Sequence, residues 1–268
     1  MNEPVTDLSI LQITDLHFLP CLNETFLGIN TEHSFLAVLE LALVENRTFD
    51  LIIVTGDLAQ DPTQESYFRI LQYLEAIQIP CICLPGNHDD IQLMQQIFDT
   101  PLVSCRNQVL LGNWQLIFLN SQIQGAPGGR LSNQELCFLD DSLSSQPDHH
   151  ALIAVHHHCL ETKSAWLDTM IIENSLELWA IIDKFPKVKI ITNGHIHQLM
   201  DIEHQGVRVL GTPSTCFQFK PSSTNFSLDA FAAPGYRKIK LSSNGSIETF
   251  ISRMPEPLKG LQVDSLGY

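Results

Sequence analysis

Five short clusters of aspartate, asparagine and histidine lie along the chain, and these side chains bind metal ions or transfer protons. The clusters are Asp15-Leu-His17, Gly56-Asp57, Gly86-Asn87-His88-Asp89, His156-His157-His158 and Gly194-His195-Ile-His197. Imidazole nitrogens together with carboxylate and amide oxygens form a ligand set that suits Mn²⁺, Fe or Zn²⁺. In the last cluster, two histidines separated by one residue point to the same side of an extended segment, which is a chelating geometry.

The position of the clusters is more informative than any one of them. Asp-x-His also occurs at helix caps beside a surface histidine, and Gly-Asp is common in ordinary turns. However, short apolar runs predict a strand before each cluster, at 8–14, 51–55, 81–84, 151–155 and 188–192. Ligands of open α/β sheets collect beyond the carboxyl ends of strands. We therefore expect the five clusters to converge on one site.

Helical patterns alternate with these strands, which favours an α/β or mixed architecture. Apolar residues at helical spacing predict helices at 31–46, 64–77, 90–98, 132–143 and 175–184. The fourth of these begins with Ser-Asn-Gln-Glu, a capping-box pattern, and hairpins are predicted at 109–119, from 199 onward and at 236–251. The chain shows no internal repeat or long linker, so we expect a single domain over 1–268 with a C-terminal tail at 252–268.

The charge of the chain restricts the class of partner. It has 268 residues with 15 Lys and Arg against 30 Asp and Glu, which gives a formal net charge of −15. A nucleic-acid partner is excluded on this ground, because binding to phosphate backbones needs a surplus of basic residues. A small anionic substrate remains compatible if the site itself supplies positive charge. The hydrophobic fraction of 44% is sufficient for a packed core and argues against intrinsic disorder.

The cysteines and the N-terminus predict a cytoplasmic location. Seven cysteines without a repeated spacing imply no disulfide framework, and Cys81 and Cys83 are expected to pack on one face of a strand. The N-terminal sequence has neither the basic nor the apolar region of a signal peptide. No apolar run is long enough to cross a bilayer, so we expect no membrane partner.

Taken in order, the five clusters resemble the motifs of the calcineurin-like metallophosphoesterases. That resemblance implies an α/β fold of the α+β type, a four-layer sandwich in which two mixed β-sheets pack together and are flanked by helices. Further segments look like those of the bacterial class III 3′,5′-cyclic-nucleotide phosphodiesterases: Ser164-Ala-Trp-Leu-Asp168, Gly211-Thr-Pro-Ser-Thr-Cys-Phe-Gln-Phe219, Asn225-Phe-Ser-Leu-Asp229 and Ala233-Pro-Gly-Tyr-Arg237. This closer likeness extends over nearly the whole chain.

The resemblance implies two divalent or mixed-valence metal ions per chain, drawn from Fe, Mn and Zn. By the family pattern Asp15, His17 and His197 would bind the first metal. Asn87, His156 and His195 would bind the second, and Asp57 would bridge the two. His88, with Asn87, is the predicted catalytic residue, because it would contact the phosphate and stabilise charge or protonate the leaving oxygen. The residues expected to contact substrate are His17, Asp57, Asn87, His88 and His197.

The function implied is hydrolysis of 3′,5′-cyclic AMP to 5′-AMP, by in-line attack of a hydroxide that bridges the two metals. The metals would supply the positive field that the acidic chain lacks. The alternatives are another phosphoesterase of the same fold, acting on 2′,3′-cyclic nucleotides, general phosphodiesters or phosphoproteins, a nuclease, which the acidity disfavours, and a non-catalytic scaffold. A scaffold predicts degraded ligands, whereas all seven ligand positions are filled.

Several assignments stay open at the level of sequence. Only one histidine of 156–158 is needed as a ligand; the family pattern favours His156, with His157 outside the ligand shell. Asp89 is expected to orient the His88 imidazole. Trp166 and Phe217 could be core residues or could stack on a base, and the segment 211–219 is the candidate wall for nucleotide specificity.

Overall fold

The computed structural model describes residues 7–46, 48–265 and 267, and within them it contains twelve β-strands, five α-helices and one 3₁₀ helix. In chain order the elements are β1 (Leu8–Ile13), α1 (Thr31–Glu45), β2 (Leu51–Thr55), α2 (Gln64–Ala76), β3 (Cys81–Leu84), α3 (Ile91–Ile97), β4 (Val103–Ser104), β5 (Gln108–Leu111), β6 (Trp114–Leu119), α4 (Asn133–Ser145), β7 (His150–Val155), the 3₁₀ helix (Leu167–Met170), α5 (Ser175–Ile182), β8 (Val188–Asn193), β9 (Met200–His204), β10 (Val207–Gly211), β11 (Gly235–Leu241) and β12 (Ile247–Arg253).

The strands form two mixed six-stranded sheets. The first has the order β12-β11-β1-β2-β3-β4 and the second the order β5-β6-β7-β8-β10-β9. In the first sheet β1 to β4 run parallel, and β11 and β12 pair antiparallel at one side. In the second, β6, β7, β8 and β10 run parallel between antiparallel edge strands β5 and β9.

Alternation along the buried strands assigns each side chain to one of three hydrophobic cores. On β2, Leu51 and Ile53 lie in the core between the two sheets, whereas Ile52 and Val54 lie in the core that also contains residues of α1, α2 and α3. The outer face of the second sheet packs with residues of α4 and α5. The molecule therefore has the order helix, sheet, sheet, helix, and the predicted four-layer sandwich is confirmed.

The predicted elements are found with boundaries that differ by up to about two residues, as capping interactions explain. The side chain of Asn30 accepts a hydrogen bond from His33 N at the start of α1, and Ser132 Oγ accepts from Glu135 N at the start of α4. The reciprocal half of the capping box is replaced, because the Glu135 carboxylate accepts from Asn120 N instead. The prediction missed β4, whose two residues are too few to show a periodic pattern.

Polar side chains replace apolar ones between the sheets near the carboxyl ends of the central strands. Gln12 Nε2 donates to Thr55 Oγ1 at 3.0 Å, and Thr192 Oγ1 donates to Gln12 Oε1 at 2.6 Å. These buried bonds join β1 and β2 of one sheet to β8 of the other. The ends of the two sheets are thus held together at the edge where the clusters begin.

The C-terminal residues that are described fold back onto the domain. Strand β12 continues to Arg253, and Leu258 and Leu261 beyond it pack against the core of the second sheet. Gln262 N donates to Leu27 O at 2.9 Å. Within the described ranges, the helices are too short or too polar to qualify as membrane spans.

Candidate metal centre

The five clusters follow the carboxyl ends of five strands and meet where the two sheets come together. Three of them leave β1, β2 and β3 of the first sheet, and two leave β7 and β8 of the second. The turns after β1 and β2 are tied by backbone bonds, with Asp15 N donating to Gly56 O and His17 N to Asp57 O, both at 3.0 Å. The expected convergence of the clusters is therefore present.

The backbone at this site is strained in a recurring way. The left-handed φ region, which is costly for residues with a Cβ, is adopted by five of the seven predicted ligands: Asp15 (53°), His17 (49°), Asp57 (51°), His195 (64°) and His197 (46°). Such strain persists only where the surrounding structure enforces it, and it concentrates at functional sites.

Glycine precedes Asp57 because no larger residue fits there. A Cβ on Gly56 would lie 2.2 Å from His156 Nδ1, and the residue has a φ of +95°. A Cβ on Gly86 would lie 2.1 Å from Asp57 Oδ1. The glycines of these motifs thus permit the close approach of β2, β3 and β7 that brings Asp57 and His156 together.

One group of predicted ligands combines residues that follow β1 and β8. His197 Nε2 lies 3.2 Å from Asp15 Oδ1 and 3.3 Å from His17 Nε2. Both carboxylate oxygens of Asp15 accept from His195 N at 3.1 Å, and Thr14 Oγ1 donates to one of them. The carboxylate and the two imidazoles are fully buried.

The other group lies around Asp57. Its Oδ2 atom is 3.3 Å from His156 Nε2 and 3.8 Å from His17 Nε2, so this carboxylate stands between the two groups. His156 Nε2 is also 3.2 Å from Asn87 Oδ1, and the His195 ring centroid lies 5.1 Å from that of His156. All seven predicted ligands therefore form one contiguous cluster.

Three of the imidazoles are oriented by an oxygen atom at Nδ1. Gln60 Oε1 lies 2.8 Å from Nδ1 of His17, Thr55 O lies 2.8 Å from Nδ1 of His156, and Phe217 O lies 2.8 Å from Nδ1 of His197. Because an oxygen of this kind accepts, each Nδ1 carries the proton, and a neutral ring presents only a lone pair at Nε2. Orientation of this type is characteristic of metal-binding histidines.

The donor set fits a cation, because lone pairs converge in it without a donor between them. Nε2 of His197 faces both Nε2 of His17 and a carboxylate oxygen of Asp15, and these contacts repel unless a positive charge separates them. Asp57 Oδ2 and both ring nitrogens of His195 are buried without a hydrogen-bond partner. Buried polar atoms rarely stay unpaired, so these atoms are suited to coordinate metal ions.

Electrostatics within the cluster favour the protonation states that metal binding needs. Burial lowers the pKa of His17 to about 3 and the pKa of His195 well below its usual value, which keeps both rings neutral. Burial alone would raise the pKa of Asp57, but His156 and His88 hold it well below its usual range. Against the burial penalty, the Asp57 carboxylate raises the pKa of His156, so a proton and a metal ion compete for the space between them.

His88 lies at the edge of the cluster, but Asp89 does not orient it as expected. The backbone N of His88 donates to Asp57 Oδ1 at 3.0 Å, and its Nδ1 lies 3.2 Å from Gln60 O. The Asp89 carboxylate instead accepts from Leu58 N, Ala59 N, Gly86 N and the Tyr67 hydroxyl. That prediction was wrong because Asp89 is buried on the far side of the turn, where it joins the loops after β2 and β3.

The three consecutive histidines have different partners. Nε2 of His157 donates to Pro127 O at 3.2 Å and its Nδ1 accepts from Ser121 Oγ at 2.8 Å, so both ring nitrogens are engaged outside the cluster. His158 stacks on the ring of His195 and lies 3.6 Å from an Asp168 oxygen. His156 alone of the three directs Nε2 to Asp57 and Asn87.

Two residues near the cluster could not be placed from sequence. Phe217 is fully buried and stacks against the His17 ring, so it supports the ligands and does not form an open wall. Gln60 accepts from His17 through its side chain and from His88 through its carbonyl. Gln60 was missed because a glutamine three residues after Gly-Asp carries no distinctive signal; its role depends on the turn that folds it back.

A cleft of about 540 Å³ opens beside the cluster. Asn87, His88 and His195 line one part of it, and Trp166 and Phe226 line another. The cleft is in the size range of small-molecule sites in proteins. Residues with potential for proton transfer and metal binding thus adjoin a space large enough for a nucleotide.

The fold and the cluster agree with the family to which the sequence is similar. The family model described as calcineurin-like phosphoesterase matches residues 8–199, which include all five clusters. The chain belongs to the calcineurin-like phosphoesterase family, whose members are metal-dependent hydrolases.

Curated relatives are similar over nearly the full chain. A 3′,5′-cyclic adenosine monophosphate phosphodiesterase, CpdA, from Vibrio vulnificus is 41% identical over 92% of this chain and 90% of the relative. CpdA of Escherichia coli is 40% identical over 97% of this chain and 94% of its own. A 3′,5′-cyclic-nucleotide phosphodiesterase of Nostoc is 42% identical over 96% of both chains.

Solved structures that are distant in sequence have the same fold. A dimetal phosphatase from Danio rerio superposes with a TM-score of 0.59 at 14% identity, over 94% of this chain and 99% of that chain. The GAP50 protein of Plasmodium, an anchor in the inner membrane complex, gives a TM-score of 0.64 at 13% identity, over 96% and 91% of the two chains. At these identities the likeness concerns the fold alone.

Proposed function

We propose that this protein is a dinuclear-metal phosphodiesterase that hydrolyses 3′,5′-cyclic AMP to 5′-AMP. The observation that carries the proposal is the contiguous cluster of seven predicted ligands beside a nucleotide-sized cleft. The roughly 40% identity to cyclic AMP phosphodiesterases along almost the entire chain supports the choice of substrate.

In this proposal Asp15, His17 and His197 hold one cation and Asn87, His156 and His195 hold the other. Asp57, which stands between the two groups, is the shared ligand. Bound cations of this kind, Fe, Mn or Zn in any pairing, neutralise phosphoryl charge and make a water molecule nucleophilic near neutral pH.

The residues of the chain position the substrate and move the proton. Asn87 and His88 line the cleft, so a phosphodiester held at the cluster meets both side chains. The contact between His88 Nδ1 and Gln60 O fixes the imidazole, and protonated His88 donates to the departing 3′ oxygen as the ring opens. The backbone bond from His88 N to Asp57 Oδ1 couples the position of the acid to the proposed shared ligand.

The alternatives differ in what they require of the chain. A nuclease would bind a long polyanion, which a net charge of −15 repels. A non-catalytic scaffold has no use for oriented imidazoles or for buried carboxylate oxygens without donors. Hydrolysis of 2′,3′-cyclic nucleotides, general phosphodiesters or phosphoproteins is distinguished by kinetics.

The test is steady-state kinetics on 3′,5′- and 2′,3′-cyclic nucleotides and bis(p-nitrophenyl) phosphate, with Mn²⁺, Fe²⁺ or Zn²⁺ added to metal-stripped protein. We expect 5′-AMP as the product from cyclic AMP and the highest kcat/KM for a 3′,5′-cyclic nucleotide. A higher kcat/KM for the 2′,3′-cyclic isomers, or no AMP despite cleavage of the generic diester, would refute the substrate assignment. Metal analysis should give two ions per chain.

A reducing, cytoplasmic compartment is also proposed, and the thiols support it. All seven cysteines are free, and Cys81 Sγ and Cys83 Sγ lie 4.0 Å apart in a core without a disulfide. Both pack on the helix-covered face of the first sheet, as the sequence predicted. Free thiols at this density are typical of chains kept in a reducing environment.

A further inference from the structure

The lining of the cleft changes character from one end to the other. At the end next to the cluster it is formed by Asn87, His88 and His195, which are polar. At the other end the side chains are apolar: Ala126, Pro127, Trp166, Met170 and Phe226. A ligand that spans the cleft therefore meets polar groups on one part and aromatic or aliphatic groups on the other.

Trp166 is fixed in orientation at the apolar end. Its indole Nε1 donates to Ser223 Oγ at 3.1 Å, and Ser223 Oγ donates in turn to Lys220 O. The indole lies nearly perpendicular to Phe219 and Phe226, at centroid distances of 4.9 and 5.2 Å. Edge-to-face packing of this kind is favourable and leaves little rotational freedom.

The opposite wall is held by the histidine that does not contact the cluster. His157 accepts from Ser121 and donates to Pro127 O, and a Cβ on Gly129 would lie 2.5 Å from the His157 ring. The loop that carries Ala126 and Pro127 is thus fixed against the end of β7. Both walls are held before a ligand enters, which reduces the entropic cost of binding.

We infer that the apolar end of the cleft is the nucleobase subsite, in which the purine of the substrate stacks on Trp166 and Phe226. The inference rests on the proposed function, because the polar end receives the cyclic phosphate. A cyclic nucleotide has the matching polarity, with an anionic phosphodiester at one end and an aromatic base at the other. Aromatic side chains contribute to base binding through stacking, which needs no specific hydrogen bond.

This assignment places substrate specificity on residues 166 and 226. The predicted wall at 211–219 lies deeper, where Phe217 is buried against His17 and His197. Trp166 and Phe226 are both partly exposed, as residues that receive a ligand must be.

The test compares two substrates that differ only in the base. One is cyclic AMP and the other is methyl ribofuranoside 3′,5′-cyclic phosphate, in which a methoxy group replaces adenine. We expect wild-type kcat/KM to be about tenfold or more higher for cyclic AMP, in line with the strength of base stacking. In Trp166→Leu and Phe226→Leu this preference should fall to less than threefold, mainly through KM for cyclic AMP.

The base-free substrate also reports whether each variant is folded, because its hydrolysis depends on the metal centre alone. Phe231→Leu is the matched control, since Phe231 is 89% exposed, and it should keep the wild-type preference. Equal hydrolysis of both substrates by the wild type, or equal loss of both in the variants, would overturn the base subsite and leave the phosphodiesterase intact. Cleavage of bis(p-nitrophenyl) phosphate but of neither cyclic phosphate would overturn the proposed function and the subsite together.

Discussion

The metal centre and the apolar end of the cleft adjoin each other but are built differently. The centre consists of residues that directly follow five strands, and most of its imidazoles are locked by a bond at Nδ1. The apolar end is formed by three separate segments, around 126, 166 and 226, and its side chains are largely partly exposed. Strand ends thus provide fixed geometry for chemistry, whereas loops provide a surface that can differ between substrates.

The difference extends to backbone strain. Left-handed φ values occur at five predicted ligands, whereas no residue that forms the apolar wall has one among the positions described. Each strained residue costs on the order of 1 kcal/mol or more, and the three cores of the sandwich supply the stability that offsets this. We therefore expect substitutions at the centre to affect metal content and turnover, and substitutions at the wall to affect substrate preference.

The largest effect is expected for Asp57→Ala. Loss of the proposed shared ligand should reduce metal content to one ion or none and lower kcat at least about 10³-fold, because several kcal/mol of charge stabilisation disappear. Metal analysis and cyclic AMP hydrolysis measure this. Asp61→Ala, an exposed aspartate in the same loop, is the control and should behave as wild type. Full turnover in Asp57→Ala would rule out the bridging role.

His88→Ala should separate proton transfer from metal binding. We expect kcat to fall by about 10²- to 10⁴-fold with two metal ions retained, because the bond from the backbone N of residue 88 to Asp57 survives the substitution. Kinetics and metal analysis on the same sample make the measurement. His33→Ala, an exposed histidine on α1, is the control. Loss of metal from His88→Ala would show that His88 is a ligand and not an acid.

Gln60→Leu should weaken metal binding without removing a ligand. The variant takes away the oxygen that fixes Nδ1 of His17, and loss of such an orienting partner lowers metal affinity about 10- to 100-fold. Metal titration by calorimetry gives the affinity directly. Gln60→Glu retains an acceptor and should stay near wild type, as should Gln64→Leu, an exposed glutamine on α2. An unchanged affinity in Gln60→Leu would contradict the orienting role.

The smallest effect is expected at His157, where the centre and the wall are nearest to each other. His157→Ala should release the loop at Pro127, which raises KM for cyclic AMP a few-fold because a preorganised wall is lost. Metal content should remain at the wild-type level, whereas His156→Ala should lose metal. If the two variants exchange these outcomes, the ligand assignment is shifted by one residue.

Much of the fold could be predicted from sequence because its signals are local. The strands that end at Ile13, Thr55, Leu84, Val155 and Asn193 are short, apolar and followed by polar clusters. Capping residues such as Asn30 and Ser132 mark helix starts through bonds to the next three residues. The two-residue strand β4 was missed because it forms only by pairing with β3.

The candidate site divides in the same way. The seven ligands could be proposed from motifs, since each motif lies within a few residues of a strand end. The orientation of Asp89 was predicted wrongly, because its partners at 58, 59 and 67 approach from other loops. Adjacent residues in a turn often point to opposite sides, and only the packed turn shows which side is occupied.

The sequence by itself determined the family, the order of the motifs and the chemistry of the ligands, because residue type and short spacing decide what a strand-end loop can bind. Only the tertiary structure decided that Gln60 orients His17, that His157 holds Pro127 and that Trp166 lies in the same cleft as His88. These contacts join residues 30 to 80 positions apart in the chain or more, counted from the sequence numbering. They depend on how the two sheets and their loops pack, and no local pattern records that packing.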